Sequence, residues 1–397
     1  MTTTQDVTTT QDGAETFRLE VRDWLARNLT GRFAPARGLG GPGREHEAFE
    51  LRRDWDRCLA AAGWTCVSWP REHGGRGLTP AEQVVFHEEY ARADAPVRFG
   101  HLGEELLGPT LIALGTPAQQ ERYLPGIRAG EQLWCQGYSE PGAGSDLAAV
   151  STRAELRGGE WLITGQKVWT SLAHRADFAF VLCRTEPGSR RHQGLSYLLV
   201  PMHQPGITVR PITQLTGTSE FNEVFFDGAR ARADDVVGEV GGGWSVAMAT
   251  LAFERGVATL GQQVGFRRQL ERVLARARQN GALEDPLVAD QLARAWVELE
   301  VMRLHALRTD GGSRGPGQAS ITKLLWAGWH RRLGELAVAV EGLDGLLADA
   351  APYELSDAQR LYLFTRADTI YGGSDEIQRS ILAERVLGLP REPKGTS

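Results

Sequence analysis

Two segments in the middle of the chain combine residue types that could do chemistry. Residues 137–146 read GYSEPGAGSD, a glycine-rich turn with two serine hydroxyls and many backbone amides. Such a turn could hold a phosphate group or the polar edge of a ring, because consecutive backbone N–H groups form an anion-binding concavity. A turn with a purely structural role is the alternative that composition alone favours. Residues 165–171 read GQKVWTS and add a tryptophan and two further hydroxyls.

Other common catalytic motifs are absent from the sequence. Residues 38–43 (GLGGPG) match the glycine spacing of a dinucleotide-binding turn, but a proline lies inside them and no strand precedes them, so a flexible loop is predicted. No Walker A sequence, GxSxG elbow or HExxH motif is present. The four cysteines form no CxxC pair and no Cys/His metal spacing. They predict reduced thiols in a cytoplasmic protein, and no metal site is expected.

A third segment near the C-terminus, residues 370–379, reads IYGGSDEIQR. Together with SEPGAGSD at 139–146, it resembles the motifs of the acyl-CoA dehydrogenases, flavoenzymes that remove two hydrogens from the α and β carbons of an acyl thioester. The resemblance covers nearly the whole chain, residues 15–391, with further matches at 69–77 and 383–391. It implies bound FAD, an acyl-CoA or acyl-carrier-protein thioester as substrate, an electron-transfer flavoprotein as partner, and a homodimer or homotetramer.

The resemblance assigns flavin contacts to both middle segments. It implies that Tyr138 and Ser139 lie along the pyrimidine edge of the flavin, although the family usually has an aliphatic residue where this chain has Tyr138. Ser145 would lie near the FAD pyrophosphate. Trp169 would pack beside the isoalloxazine, and a core aromatic residue of a β domain is the alternative interpretation. Ser171 would donate a hydrogen bond to flavin N5.

The residue that follows Tyr371 is the main departure from the family. Removing the α proton of a thioester requires a carboxylate near that carbon, donors on the carbonyl oxygen and an acceptor for the β hydride. Many members carry the carboxylate directly after the tyrosine, where this chain has Gly372. Gly372 still supplies the backbone N–H that the family uses as a carbonyl donor. Some branches carry the base on a helix after the β domain, just before an arginine, and Glu254 occupies that place before Arg255, so we expect Glu254 to be the base and not an ordinary surface residue.

Other site residues follow from the resemblance alone. Contacts to the substrate fall on Ser145, Arg255 and Tyr371. Two more contacts to the cofactor fall on Ser374 and Glu376, in the C-terminal motif.

Two further departures concern the part of the family fold that contacts the FAD of a neighbouring subunit. The RxxFG element is missing, although Arg276 and Arg278 lie nearby, and the QxxGG motif has become EGLDG at 341–345. A non-catalytic or half-active subunit of a heteromeric dehydrogenase is therefore an alternative, and so is a flavin monooxygenase on the same fold. The glutamate–arginine pair at 254 and 255 argues against the monooxygenase, which needs no α-proton base.

The elements that must position these residues follow the order α, then β, then α. Apolar residues at helical spacing predict helices from Phe17 to Leu25 and from Phe49 to Ala62, and Thr79 is a candidate N-cap of a third. Short runs rich in β-branched and aromatic residues between 161 and 226 predict a small antiparallel barrel or sandwich. Long Ala/Leu/Arg-rich segments follow from residue 244. The predicted fold class is α+β, with an N-terminal helical domain, a central antiparallel β domain and, by the resemblance, a C-terminal four-helix bundle.

The expected domain boundaries are a disordered tail at 1–13, an N-terminal α domain at 14–130, a central β domain at 131–240 and a helical domain at 241–391. The tail is rich in Thr, Gln and Asp and lacks the apolar region of a signal peptide. No stretch approaches the roughly 18 apolar residues of a membrane span. The net charge of −6 offers no basic surface for nucleic acid. A cytoplasmic enzyme is expected, and the identity of its acyl group stays open.

Overall fold

The computed structural model describes residues 4–41, 43–254, 258–310, 317–348 and 354–391. The chain forms two compact units, Met1–Val257 and Ala258–Ser397. Across the described ranges, no helix is long and apolar enough to cross a membrane. Within the same ranges, no group of three or more His, Cys, Asp and Glu side chains is placed to hold a metal ion.

The first unit begins with a layer of helices. They are α1 (Thr4–Asn28), α2 (Phe49–Ala61), α3 (Pro80–Arg92), α4 (Gly108–Leu114) and α5 (Pro117–Arg128), with a π-helical turn, Leu102–Leu107, directly before α4. Thr79 is the N-cap of α3, as predicted: its hydroxyl accepts from the Glu82 N–H at 3.4 Å, and the Glu82 carboxylate accepts from the Thr79 N–H at 2.8 Å. This reciprocal pair satisfies two N–H groups that the start of a helix otherwise leaves unpaired.

Helix α1 begins at Thr4, well before the helix that the sequence predicts from Phe17. The Thr/Gln/Asp-rich segment expected to be a disordered tail is therefore helical from residue 4 onward. The later part of α1 is fixed by burial of Val21 and Leu25 in the core of the helical layer. Extending an existing helix costs much less free energy than nucleating one, so the earlier turns continue a helix that is already fixed further along the chain.

The central part of the first unit is a β-sheet. Its strands are β1 (Trp134–Gly137), β2 (Arg153–Arg157), β3 (Glu160–Ser171), β4 (Phe178–Arg184), β5 (Leu195–Pro201), β6 (Ile207–Pro211), β7 (Phe221–Arg232) and β8 (Val236–Val237). In the described residues these eight strands form one sheet in the order β6-β7-β3-β2-β4-β5-β8, and β1 pairs with β4. Most pairs are antiparallel, but β1 and β2 each pair with β4 in parallel. The predicted strand runs correspond to β3 to β7.

Helix α6 (Gly243–Glu254) follows the sheet and packs against β5, α4 and the π-helical turn. Its close approach to β5 depends on Gly243, because a Cβ there would lie 2.4 Å from the carbonyl carbon of Ser196. These contacts make α6 part of the first unit, whereas the sequence analysis places the start of the third domain at residue 241. That boundary stays a prediction.

The second unit is helical. Its helices are α7 (Ala258–Gln279), α8 (Pro286–Asp310), α9 (Gln318–Glu341), α10 (Asp357–Phe364) and α11 (Asp375–Ile381). The first three pack on one another around buried Phe266, Leu299 and Trp329. The succession of helical, sheet and helical parts confirms the predicted fold class.

A buried ion pair ties the glycine-rich segment to the sheet. Lys167 on β3 is fully buried, and its Nζ lies 2.8 Å from Glu140 Oε1. The same ammonium donates to the carbonyl oxygens of Tyr138 at 3.0 Å and Leu182 at 2.7 Å. One side chain on β3 therefore holds both the segment that follows β1 and the backbone of β4.

The Glu140 carboxylate is held on its other side by the segment before β2. Its two oxygens accept from the backbone N–H groups of Ser151 at 2.7 Å and Thr152 at 2.9 Å, and from the Ser151 hydroxyl at 2.8 Å. Burial alone raises the pKa of Glu140, but the Lys167 ammonium and these hydrogen bonds outweigh it and lower the pKa to about 2. Glu140 is therefore a charged, fully hydrogen-bonded group inside the protein.

Replacing Lys167 with methionine should strongly destabilise the protein. The substitution keeps an unbranched side chain but leaves Glu140 buried without its counter-ion, and breaking a buried pair in this way costs about 3–5 kcal/mol. Urea unfolding, followed by tryptophan fluorescence, would measure the loss. The double variant Lys167→Met/Glu140→Gln is the control: it removes both charges, keeps an acceptor for one of the two backbone N–H groups, and should recover part of the stability. A single variant as stable as the wild type would contradict the anchoring role of the pair.

Candidate active site

The glycine-rich segment forms a closed turn beside β3. The carbonyl oxygen of Ser139 accepts from the Val168 N–H at 2.9 Å, which joins the start of the turn to the strand. Glu140 and Ala143 exchange two backbone hydrogen bonds, both of 3.0 Å. Ser145 is exposed, and open space surrounds the two central glycines of the turn, so a ligand can approach the backbone here.

Tyr138 directs its ring into the core and not to the surface. The residue is 6% exposed, and its ring makes edge-to-face contacts with Phe180 and Tyr197, with centroids 6.0 Å and 6.2 Å away. An aromatic residue fills the place where the family usually has an aliphatic one because two other rings complete the packing. Contact between Tyr138 and a flavin edge stays a prediction. Because the ring lies in the core, such a contact would have to use the backbone of Tyr138.

Trp169 is the most unusual residue of the sheet. The β3–β7 ladder shifts register between Lys167 and Thr170, and within this irregularity Trp169 has a φ of 61°. Left-handed backbone is rare for a bulky residue and is associated with ligand sites, where the surrounding structure sustains the strain. The indole is 59% exposed, and its only ring partner in the described part of the chain is Phe221, edge-on at 6.4 Å.

The structure brings Ser139, Trp169 and Ser171 together. Ser139 is bonded to the residue before Trp169, and half-buried Ser171 ends β3 two residues beyond it. An exposed indole face beside a turn with accessible backbone amides fits a cofactor that has a flat ring and a phosphate-bearing chain. FAD has both parts. The individual flavin contacts expected of these residues, and of Ser145, stay predictions.

Buried hydroxyl groups position helix α6. Thr110 Oγ1 on α4 lies 2.9 Å from Thr250 Oγ1 on α6, which also donates to the Tyr197 hydroxyl on β5 at 3.3 Å. The chain of hydroxyls fixes α6 against both neighbours, and Glu254 is the last residue of this helix. The side chain of Glu254 and the whole of Arg255 lie outside the described residues, so their expected roles stay predictions.

The C-terminal motif forms a turn and a short helix in the second unit. Tyr371 is 40% exposed, and Gly372 has a φ of 66°, the left-handed region that favours glycine. Ser374 caps α11, where its hydroxyl accepts from the Ile377 N–H at 3.4 Å. Glu376 is exposed on the first turn of α11. The cofactor contacts expected of Ser374 and Glu376, and the substrate contact expected of Tyr371, stay predictions.

Arg276 and Glu341, which lie where the sequence departs from the family's RxxFG and QxxGG motifs, are in contact in the second unit. Arg276 on α7 forms an ion pair with Glu341 at the end of α9, in which Nε at 2.8 Å and Nη2 at 2.7 Å both contact Glu341 Oε2. The guanidinium and the carboxylate therefore neutralise one another on the surface of this helical unit.

Sequence reasoning missed the residues that hold the site in place. Lys167 carried a local signal, because it lies on the inward face of β3 together with Trp161 and Ile163 and is the one charged residue among them. The buried Asp368–His330 pair of the second unit carried none, because its members lie 38 residues apart.

Comparisons with known proteins match successive parts of the chain to domains of one family. Three family models match: the acyl-CoA dehydrogenase N-terminal domain at residues 11–131, the middle domain at 135–229 and the C-terminal domain at 241–387.

Named relatives and solved structures extend the match. The acyl-CoA dehydrogenase IpdE1 of Mycobacterium tuberculosis is 64% identical over 96% of this chain and 99% of its own length. The structure of the Tcur3481–Tcur3483 steroid ACAD superposes with a TM-score of 0.83, at 32% identity over 96% of this chain and 98% of that one. The ChsE4–ChsE5 complex of Mycobacterium tuberculosis gives 0.79, at 29% identity over 96% and 98%. The chain belongs to the acyl-CoA dehydrogenase family of flavoprotein oxidoreductases, as its motifs predict.

Proposed function

We propose that the chain catalyses α,β-dehydrogenation of an acyl thioester, with Glu254 as the base that removes the α proton. The observation that carries this proposal is the strained, exposed Trp169 beside the turn that the Lys167–Glu140 pair holds in place. FAD bound against this surface supplies the acceptor for the β hydride, and an electron-transfer flavoprotein then takes the electrons. The steroid ACAD among the similar structures makes a steroid-derived thioester the first substrate to test.

In this proposal the base and the hydrogen-bond donor to the thioester carbonyl are different residues. Gly372 has no carboxylate, so proton removal falls to Glu254 on α6, which the Thr110–Thr250 hydroxyls hold against α4. The Gly372 N–H polarises the thioester carbonyl, which stabilises the charge that develops as the α proton leaves.

Glu254→Gln should slow anaerobic flavin reduction by roughly 10²–10⁴-fold, the usual contribution of a positioned general base. Thioester binding should change little, because the amide keeps the side-chain shape. Rapid mixing with acyl-CoA substrates, followed by flavin absorbance, would measure both. Glu239→Gln, an exposed substitution just before α6, is the matched control. If Glu254→Gln reduces its flavin as fast as the control, Glu254 is not the base.

Restoring a carboxylate at the other family position should recover part of the lost rate. In Gly372→Glu on a Glu254→Gly background, the new Cβ would meet Lys323 Cε at 3.6 Å, an ordinary contact. The left-handed φ at 372 strains a residue with a side chain by roughly 1–2 kcal/mol, so the recovery should be incomplete. A double variant no faster than Glu254→Gly alone would show that a carboxylate at 372 does not reach the substrate carbon.

Ser171→Ala should slow flavin reduction without weakening thioester binding, because it removes a hydrogen-bond donor to the flavin ring. One neutral hydrogen bond contributes about 0.5–1.5 kcal/mol, so a fall of about 2- to 13-fold is expected. Single-turnover kinetics would measure it, with Ser189→Ala in the β4–β5 loop as control. Equal reduction rates in the two variants would refute the role of Ser171.

A second candidate function is that of one subunit in a heteromeric dehydrogenase. The Arg276–Glu341 ion pair favours it, because it occupies the region where the family contacts the FAD of a neighbouring subunit. The Glu341 carboxylate repels the negatively charged FAD pyrophosphate. It also pairs with Arg276, which would otherwise be free to bind that pyrophosphate. The ChsE4–ChsE5 complex among the similar structures is consistent with an assembly of this kind.

Glu341→Gln tests this second candidate, because it breaks the ion pair and restores the glutamine of the family motif. If the pair is what weakens FAD binding, the dissociation constant for FAD should fall by about 10-fold, equivalent to about 1.4 kcal/mol. Titration of the apoprotein with FAD would measure it. Glu335→Gln, on the same helix as Glu341, breaks a surface pair with Arg366 and is the control. Equal FAD affinity in the two variants would contradict a blocked contact.

A further inference from the structure

A buried polar network reaches the turn that carries Gly372. The Tyr371 hydroxyl donates to Asp368 Oδ1 at 2.7 Å, and Asp368 Oδ2 lies 2.7 Å from His330 Nδ1. His330 Nε2 in turn lies 2.8 Å from Gln269 Oε1 on α7. Asp368 is fully buried and His330 is 3% exposed, so the network links the turn to the interior of the helical unit.

Lys323 on α9 holds the same turn from another side. Its ammonium donates to the carbonyl oxygen of Asp368 and lies over the rings of Trp326, at 4.3 Å, and Tyr371, at 5.1 Å. Lys323 is 6% exposed. Tyr371 is therefore held by its hydroxyl and by its ring face, both through groups on the helical core.

The residues after Tyr371 are fixed as well. Buried Gln378 on α11 donates through Nε2 to the carbonyl oxygens of Gly372 at 3.2 Å and Gly373 at 3.3 Å. The Gly372 N–H makes no hydrogen bond to any other described residue. The Tyr371 hydroxyl before this N–H and the carbonyl oxygens after it are thus hydrogen-bonded, while the N–H itself is available to a ligand.

Two consecutive glycines would otherwise make a poor platform for this donor. Gly372 and Gly373 both have left-handed φ angles, 66° and 85°, and glycine has more backbone freedom than any other residue. A donor that stabilises developing charge must be held in place, because a displacement of about 1 Å can cost 10²-fold in rate. The rigidity that the glycines lack has to come from their neighbours.

We propose that Asp368 is a positioning residue of the reaction: by holding the Tyr371 hydroxyl, it sets the Gly372 N–H that polarises the thioester carbonyl. This inference rests on the proposed dehydrogenase function. Burying Asp368, His330 and Lys323 together is costly compared with apolar packing, so a network of this kind is expected where one orientation has to be specified. Asp368 acts through Tyr371 and does not contact the substrate.

Tyr371→Phe in the full-length holoenzyme is the sharpest test, because it removes one hydroxyl from a partly exposed residue and leaves the ring over Lys323. The rate of flavin reduction should fall about 10- to 100-fold, the range expected for a displaced carbonyl donor, with the dissociation constant of the thioester little changed. Tyr362→Phe on α10 is the matched control. Asp368→Asn should act in the same direction as Tyr371→Phe, and it tests the carboxylate itself.

Infrared spectroscopy gives a readout that a merely structural role would not change. With an enoyl thioester product bound to the oxidised enzyme, the stretching frequency of its isotope-labelled carbonyl reports the hydrogen bonds on that oxygen. The frequency should move towards the solution value in Tyr371→Phe but not in Tyr362→Phe. Wild-type kinetics and an unchanged frequency in Tyr371→Phe would overturn the positioning role. The proposed function fails separately, when no thioester reduces the wild-type flavin or when Glu254→Gln reduces it at the wild-type rate.

Discussion

The buried Lys167–Glu140 pair is the constraint on which the rest of the first unit depends. A charge removed from water is tolerated only when counter-charge and hydrogen bonds replace its hydration. Here the replacements come from three stretches of backbone: Lys167 uses the carbonyl groups at 138 and 182, and Glu140 uses the N–H groups at 151 and 152. The pair is satisfied only when the glycine-rich turn, β3, β4 and the segment before β2 have one relative placement.

Trp169, the strained residue of the site, lies two positions after Lys167 in the chain. Lys167 is fixed in the core and the ladder with β7 resumes at Thr170, so the residues between them must absorb the register shift. Trp169 does so with a left-handed backbone that turns its indole outward. The strain is offset by the rigid pairing on both sides, and its consequence is an aromatic face presented beside the turn. An unstrained strand would send alternate side chains to opposite faces and could not place the two features together in this way.

The sequence was most informative where a structure depends on local spacing. The α, β, α order, the strands from β3 to β7 and the Thr79 cap each follow from a periodicity or a short motif, and the structure contains all of them. The parallel pairing of β1 and β2 with β4, the core position of the Tyr138 ring and the Asp368–His330 contact depend on residues far apart in the chain. No local pattern encodes such contacts. The helix from Thr4 was missed because composition predicts disorder from the side chains alone, whereas α1 is stabilised further along its length.

Several buried polar groups of the second unit hold the turn that carries Gly372. A glutamate at that position would restrict its own backbone and fill the space beside Lys323, whereas two glycines leave both to their surroundings. Tyr371, Gln378 and the carboxylate of Asp368 supply the missing restraints through hydrogen bonds. The proposed base lies on α6, which the hydroxyls of Thr110 and Thr250 hold in place. The contacts that hold the base therefore differ from those that hold the Gly372 turn. In the proposed mechanism, proton removal and carbonyl polarisation therefore rely on different sets of hydrogen bonds.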